Sequence, residues 1–402
     1  MSPRSDAPAA EAPLVPREAS ARVPVTAAFA DGFPAAERLA EVFASHAEAG
    51  AGGMSFAVHR AGGEPLVRLH GGVTERGGEQ PWGADTLAVL FSGTKGLTAT
   101  VAALLTDRGL LDPEAPVARY WPEFAAGGKE DVRVHHLLSH TVGLPYVDPD
   151  PSSAEERVDN RLMAARLAAQ APLWEPGTRV AYHALTYGYL MSELILRVSG
   201  TTVGTLLRTE LAEPLGLDLH LGLPEAEEAR VAPIFRAEGY RISTFLKDDP
   251  ERRAIVDRMY GSSLTGGDMP FNTRTYHAAE MSAGGALGTA ESMSRLYSLL
   301  IAGDHPVVSA ETLALFTRTW SEGKDAINDR PVRFGLGYEL DDPIGTYGPV
   351  RPAFGHTGAG GGLHGAWPER GLAFSFLTSE MQSEDVDRRV KDLLAVLAEA
   401  DG

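Results

Sequence analysis

Apolar-alternating runs near both ends of the chain bracket a long helical middle, and this bracketing constrains the fold more than any other feature. The early runs are Met54–His59 and Glu64–His70, separated by Ala61-Gly62-Gly63, which is a hairpin signal. The late runs are Arg333–Glu339, Ala353–His356, Gly362–Ala366 and Leu372–Thr378. A helix from Pro34 to about Ala49, with Ala35, Leu39, Val42 and Phe43 on its apolar face, opens the ordered chain, and Val386–Glu399 closes it. The expectation is an α+β fold: an antiparallel β-sheet flanked by N- and C-terminal helices, with an inserted mostly helical region. Residues 31–91 and 285–402 would form the sheet-bearing domain, and 92–284 the helical one. The first 30 residues, rich in Ala, Pro and charge, read as a disordered or loosely packed arm with no secretory signal.

Inside the middle region, Ser92–Arg108 is an apolar helix stopped by Gly109. Arg133–Ser139, Ala154–Gln170 and Leu185–Val198 follow, the last closed by Gly200. Thr201 to about Glu213 is ended by Pro214. Residues 245–280 show no period and read as a substrate-side loop or lid. Ala290–Ala302 and Ser309–Phe316 are helical again.

Composition removes several function classes. A net charge of -18 opposes nucleic acid and anionic membranes as partners. No run of about eighteen apolar residues spans a bilayer, so the cytoplasm is the expected location. Cysteine is absent, which excludes disulfides, thiolate metal sites and a cysteine nucleophile. His136 and His140 have the i, i+4 spacing of a zinc helix, but no glutamate follows the first His, so no metal is expected.

Chemistry concentrates in Leu90-Phe91-Ser92-Gly93-Thr94-Lys95. A serine hydroxyl needs a nearby base to attack a carbonyl. Three residues along a helix bring Lys95 back to the face of Ser92, and an apolar setting would lower the lysine pKa. The helix N-terminus adds N–H groups near a developing oxyanion. Ser-x-x-Lys is only two fixed letters, and Ser321–Lys324 repeats it, but that copy sits in a polar stretch and opens no apolar helix. Lysine is otherwise rare: Lys95, Lys129, Lys247, Lys324 and Lys391 stand among 36 Lys and Arg. Placing one beside the apolar run Leu97–Leu105 invites a chemical reason, because arginine cannot deprotonate. No Gly-x-Ser-x-Gly elbow occurs, which argues against an α/β-hydrolase.

Phe91-Ser92-x-Thr94-Lys95 at a helix start, Val134–Leu144, Trp174–Leu190 and Gly355-His356-Thr357-Gly358 occur in this order. Together they resemble the penicillin-binding-protein and serine β-lactamase group, and within it the class C β-lactamases and family VIII carboxylesterases. The resemblance covers about residues 35–400 and implies a β-lactamase/transpeptidase-like fold. It implies acylation of Ser92, proton sharing by Lys95, and Tyr182 as general base or proton shuttle. Taken alone, Tyr182 reads as a core aromatic. His356 would face the substrate, His183 would line its pocket, and the N–H of Ala359 or Gly360 would join that of Ser92 in an oxyanion hole.

Two departures shape the expected substrate. Ala184 stands where the family's Tyr-x-Asn motif has asparagine, and His356 where its Lys-Thr-Gly motif has lysine. Both favour esters without a carboxylate over β-lactams and peptides. The expected function is hydrolysis of short-chain carboxylic esters, a small-molecule substrate, with no metal or organic cofactor. Acyl transfer to an alcohol or amine, β-lactam or D-alanyl peptide cleavage, and a silent binding protein on the same fold are the alternatives.

Overall fold

The computed structural model describes residues 14–18, 23–241, 248–261 and 269–400. Its centre is a ten-stranded, wholly antiparallel sheet. In chain order the strands are β1 (Val15–Glu18), β2 (Val25–Phe29), β3 (Met54–Arg60), β4 (Glu64–Gly71), β5 (Ser321–Lys324), β6 (Pro331–Phe334), β7 (Glu339–Leu340), β8 (Phe354–Thr357), β9 (Leu363–Trp367) and β10 (Leu372–Thr378). Spatially they run β1-β2-β4-β3-β10-β9-β8-β7-β6-β5, so the early and late strands meet where β3 pairs with β10, from Met54 opposite Thr378 to Arg60 opposite Leu372. The α+β arrangement expected from the sequence is therefore present.

Helices cover both faces of the sheet. Helix α1 (Ala36–Ala49) and the C-terminal helix Arg389–Ala400 bury Leu39, Phe43, Leu393, Leu394 and Leu397 with Phe56, Leu69, Trp367 and Phe374 on one side. Ala290–Leu300 lies on the other, against β3, β9 and β10. Every residue of β10 is buried as a result, which is why it reads as a continuous apolar run rather than an alternating one. Helix α2 (Gly93–Asp107) is buried from Gly93 through Leu105, the axle of the larger core that joins sheet to helical region. Among the described residues no helix is long and apolar enough to cross a membrane.

Several expectations need correction. The first 30 residues are not wholly a loose arm: β1 and β2 pair with each other, and β2 pairs with β4. Ala27 and Phe29 point into the core at period two, a signal that the Ala- and Pro-rich composition hid. Arg333–Glu339 is not one strand but parts of two, β6 and β7, separated by Gly335-Leu336-Gly337-Tyr338. Pro214 does not end the helix by itself: the helical run that begins at Val203 passes through a π-helical segment, Leu207–Ala212, and continues to Leu215, where Gly216 at φ 63° ends it. The stretch 245–280 contains helices Pro250–Tyr260 and Arg274–Ala278, capped by Asp249 and Thr273; its residues 245–247 and 262–268 lie outside the described ones. The second Ser-x-x-Lys is edge strand β5, with Lys324 exposed and paired to Asp329 at 2.9 Å.

The β8–β9 pair positions the site, and it is set very close. A Cβ on Gly355 would lie 2.0 Å from the His364 carbonyl oxygen and 2.6 Å from the Gly365 Cα. Backbone cannot yield as a side-chain tip does, so Gly355→Ala should destabilise the fold by about 3 kcal/mol through overpacking. Urea unfolding should show a lower midpoint with an unchanged m-value; an unchanged midpoint would contradict the packing described.

Candidate active site

Ser92 stands at the N-cap of α2, a position where serine ordinarily caps the helix with its own hydroxyl. Here the side chain makes no capping hydrogen bond. Its Oγ instead lies 3.1 Å from Lys95 Nζ. The preceding Phe91 has φ 46°, unusual for a residue with a Cβ, and makes the sharp turn that lifts Ser92 into the cleft. Thr94 N–H donates to the Phe91 carbonyl at 2.9 Å, and Ala286 N–H to Thr94 Oγ1 at 3.0 Å, so the turn is held from both sides.

Lys95 is fully buried. Its Nζ also donates to the carbonyls of Ala184, 2.8 Å away, and Ala283, 2.9 Å away. Desolvation lowers its pKa to about 7, with the carboxylate of Glu339 opposing part of that shift. Among the described residues no carboxylate pairs with the amine; its partners are neutral oxygens.

The ring of Tyr182 lies 4.8 Å from Lys95 Nζ, and Tyr182 and Ser92 line the same cavity. The Tyr182 N–H donates to Asp325 Oδ2 at 2.7 Å, and Asp325 Oδ1 takes the N–H groups of Ile327 and Asn328. The ring stacks on Phe334, with centroids 6.1 Å apart, and packs at a tilt of 50° on His140 at 4.9 Å. Burial, and then the charge of Glu339, holds the phenol well above its ordinary pKa, so it stays protonated. Ser92 and Lys95, from one segment of the sequence, and Tyr182, from another, thus lie together.

A cavity of about 210 Å³ opens on Ser92. Phe91, Leu185, Phe271 and Tyr276 form an apolar wall; Glu339, Arg330 and Glu384 line its polar side. Phe271 packs edge-on against both Phe91, at 4.9 Å, and Tyr276, at 5.3 Å. The loop Gly358–Gly362 runs along the cavity and is closed by Gly358 N–H to the Gly362 carbonyl at 2.7 Å. A Cβ on Gly358 would lie 2.6 Å from the Leu90 carbonyl, so only glycine lets this loop abut the turn before Ser92. Among the described residues, the N–H groups of Ser92, Ala359 and Gly360 donate to no protein acceptor. All three residues line the cavity.

His183 and His356 are placed differently from the sequence reading. His183 is buried away from the cavity lining: its Nε2 accepts from Leu144 N–H at 2.9 Å and its Nδ1 donates to the Ala181 carbonyl at 2.6 Å. Both nitrogens serve backbone, and burial lowers its pKa to about 4. His356 is also fully buried and outside the lining, donating from Nδ1 to the Thr357 carbonyl at 2.9 Å. Strand alternation is the reason: His356 turns toward α2, and it is Thr357 that reaches the cavity. Burial lowers the His356 pKa to about 4.

Sequence reasoning missed Glu339 and Arg330. Glu339 accepts from Thr357 N–H at 2.9 Å, Thr357 Oγ1 at 2.8 Å and Tyr347 Oη at 3.1 Å. Arg330 pairs with Glu384 at 2.7 Å and lies 3.9 Å from Glu339. No local pattern marks either residue, because the partners come from distant segments. Among the described residues no cluster of His, Asp and Glu fit to hold a metal ion occurs.

Comparison with known proteins agrees with this architecture. The beta-lactamase family model matches residues 37–399. The esterase/beta-lactamase LipL of Mycobacterium tuberculosis is 36% identical over 352 residues, 83% of this chain and 78% of that protein. A penicillin-binding protein homologue from Caulobacter crescentus superposes with a TM-score of 0.84 at 33% identity, covering 94% of this chain and all of that one. A family VIII carboxylesterase superposes at 0.82 with 31% identity, over 91% and 98% of the two chains. With a family match spanning nearly the whole chain and a fold shared at this level, the protein belongs to the beta-lactamase family.

Proposed function

We propose that this protein is a serine esterase that hydrolyses carboxylic esters with short acyl groups through an acyl-Ser92 intermediate. The observation that carries this reading is the environment of Lys95. Two of its hydrogens are directed at the Ala184 and Ala283 carbonyls, and the remaining direction faces Ser92 Oγ. In the neutral amine that direction is the lone pair, to which the Ser92 hydroxyl donates. A pKa near 7 keeps a large share of the amine in this form at neutral pH.

In acylation the Ser92 proton passes to Lys95 Nζ while Oγ bonds to the ester carbonyl carbon. The carbonyl oxygen takes up negative charge within reach of the Ser92 and Ala359 N–H groups. Collapse breaks the bond to the alcohol oxygen, which leaves with a proton relayed from Lys95 by way of the Tyr182 hydroxyl. Tyr182, held as a phenol, serves as relay and hydrogen-bond donor rather than as a phenolate base. Water then attacks the acyl carbon, gives its proton to Lys95, and the acid departs as Ser92 Oγ recovers a proton.

Esters fit the site better than anionic β-lactams or peptides. His356 is buried, neutral above about pH 4 and absent from the cavity wall, so it offers a substrate carboxylate no charge. Ala184 presents a methyl group where an amide side chain would grip a peptide bond. The wall of Phe91, Phe271 and Tyr276 confines the acyl group close to Ser92 and favours short chains. That esterases occur among the relatives is consistent with this reading.

A p-nitrophenyl ester series from acetate to long acyl chains tests it. Turnover should be highest for short chains, and Ser92→Ala and Lys95→Ala should each lose about a thousandfold or more in kcat. Tyr182→Phe should lose about a hundredfold. Unchanged turnover in Ser92→Ala would overturn the mechanism. In wild type, kcat/KM should rise with pH through one ionisation near 7, because the ammonium below that pH has no lone pair to accept the serine proton. A flat profile from pH 5 to 9 would remove Lys95 as the base. Methanol added to the ester assay should leave free acid as the main product; methyl ester as the main product would make the protein an acyltransferase.

A further inference from the structure

We infer that Arg389, on the C-terminal helix and outside the cavity, is a positioning residue that holds the Ala359 N–H in place for the transition state. The inference rests on the acyl-Ser92 reading above and concerns the loop that completes it.

The loop Gly358–Gly362 has little of its own to hold it. It contains a single side chain, that of Ala359, and Gly360 and Gly361 have φ of 84° and 114°. Such a segment is conformationally permissive, and fixing it needs contacts from outside. Within the loop only the Gly358–Gly362 and Gly361–Gly358 backbone bonds close it. The Gly360 carbonyl, one peptide beyond Ala359, is gripped from behind by two donors: Gln382 N–H at 3.0 Å and Arg389 Nη2 at 2.9 Å. That carbonyl belongs to the Gly360–Gly361 peptide, two planes past the one that carries the Ala359 N–H, so fixing it anchors the far side of this short loop and limits how far the Ala359 N–H can swing.

Arg389 is equipped for this task. It is 4% exposed, and all five of its N–H groups are used. Nε donates to Asp387 Oδ1 at 2.9 Å and Nη2 to Asp387 Oδ2 at 2.6 Å, a two-point pairing that orients the guanidinium plane. Nη1 donates to Thr378 Oγ1 at 2.9 Å and to the Glu380 carbonyl at 3.0 Å. Nη2 has one direction left, and it is the Gly360 carbonyl. The fit is close: a Cβ on Gly361 would lie 2.2 Å from Asp387 Oδ2 and 2.7 Å from Arg389 Nη2. The loop is moulded on the Asp387–Arg389 pair, which ties β10 and the C-terminal helix to the wall beside Ser92.

A buried arginine of this kind also contributes to stability, so the test needs a readout that stability alone would not move. A loosened Ala359 N–H weakens the bond to an oxyanion, which exists only in the transition state, and leaves ground-state binding nearly untouched. Arg389→Lys keeps the charge but loses the planar fork. Removing an oxyanion donor outright costs about a hundredfold or more, so displacing one should lower kcat about tenfold with KM within about threefold. Inactivation by a serine-directed phosphonate, whose oxygen occupies the same position, should slow in the same proportion, and the pH midpoint near 7 should not move because Lys95 is untouched. Arg388→Gln, the exposed neighbour paired with Asp392 at 2.9 Å, should leave all of these unchanged.

Should Arg389→Lys fail to fold, Thr378→Val carries the test: it removes one acceptor, keeps the ion pair, and should lower kcat about threefold at constant KM. A folded Arg389→Lys, or failing that Thr378→Val, with kcat equal to wild type, or a loss confined to KM, would overturn the inference. If Ser92→Ala is inactive while these variants are normal, only the role of Arg389 falls. If Ser92→Ala remains active, the esterase mechanism itself falls.

Discussion

A primary amine held out of water beside a serine hydroxyl is the constraint on which the site depends. An ammonium ion in the centre of a protein core, with no carboxylate in contact, is expensive, and the inexpensive response is to give up the proton. Helix α2 brings this about. It is buried along nearly its whole length, so a lysine one turn from its start lies beneath the floor of the cleft rather than at its rim. Two backbone carbonyls from separate segments, at Ala184 and Ala283, then fix where the lone pair points. The positive φ of Phe91, a strain of about 1–2 kcal/mol, places the hydroxyl in that direction.

The surrounding groups avoid disturbing this poise. His140, His183 and His356 gather around the amine, and burial holds all three below their ordinary pKa. They are neutral over the range in which Lys95 titrates, so they add no fixed positive charge. Their roles are architectural: His183 fastens the Leu144 loop to the Tyr182 segment, and His140 supports the Tyr182 ring. The sheet supplies the opposite wall through the loop after β8, and the C-terminal helix braces that loop from behind.

How much of this was legible follows from how local each determinant is. The spacing of Ser92 and Lys95 is a property of one helical turn, and it survives any tertiary arrangement. Tyr182 was legible through the order of motifs, not through its own surroundings. The sheet was legible wherever apolar runs were long, from Met54–Arg60 to Leu372–Thr378, and hidden where strands were short, as at Glu339–Leu340, or built from alanine, as at Val25–Phe29. His183 and His356 were misplaced because the sequence names a residue but not the side to which its strand or turn aims it. Glu339 and Arg330 were invisible, since each derives its meaning from partners far along the chain, and Arg389, though paired locally with Asp387, derives its role from the distant Gly360 carbonyl.

The central claim concerns the protonation of one side chain, and that can be observed without turnover. With lysine labelled at the ε-carbon, carbon NMR should show few resonances, since the sequence has only Lys95, Lys129, Lys247, Lys324 and Lys391. Lys129, buried among carbonyls, should titrate near 8. One further resonance, absent from a Lys95→Arg variant, should titrate near 7. A Lys95 resonance that moves only near pH 10 would mean a permanent ammonium beside Ser92, and would contradict the account.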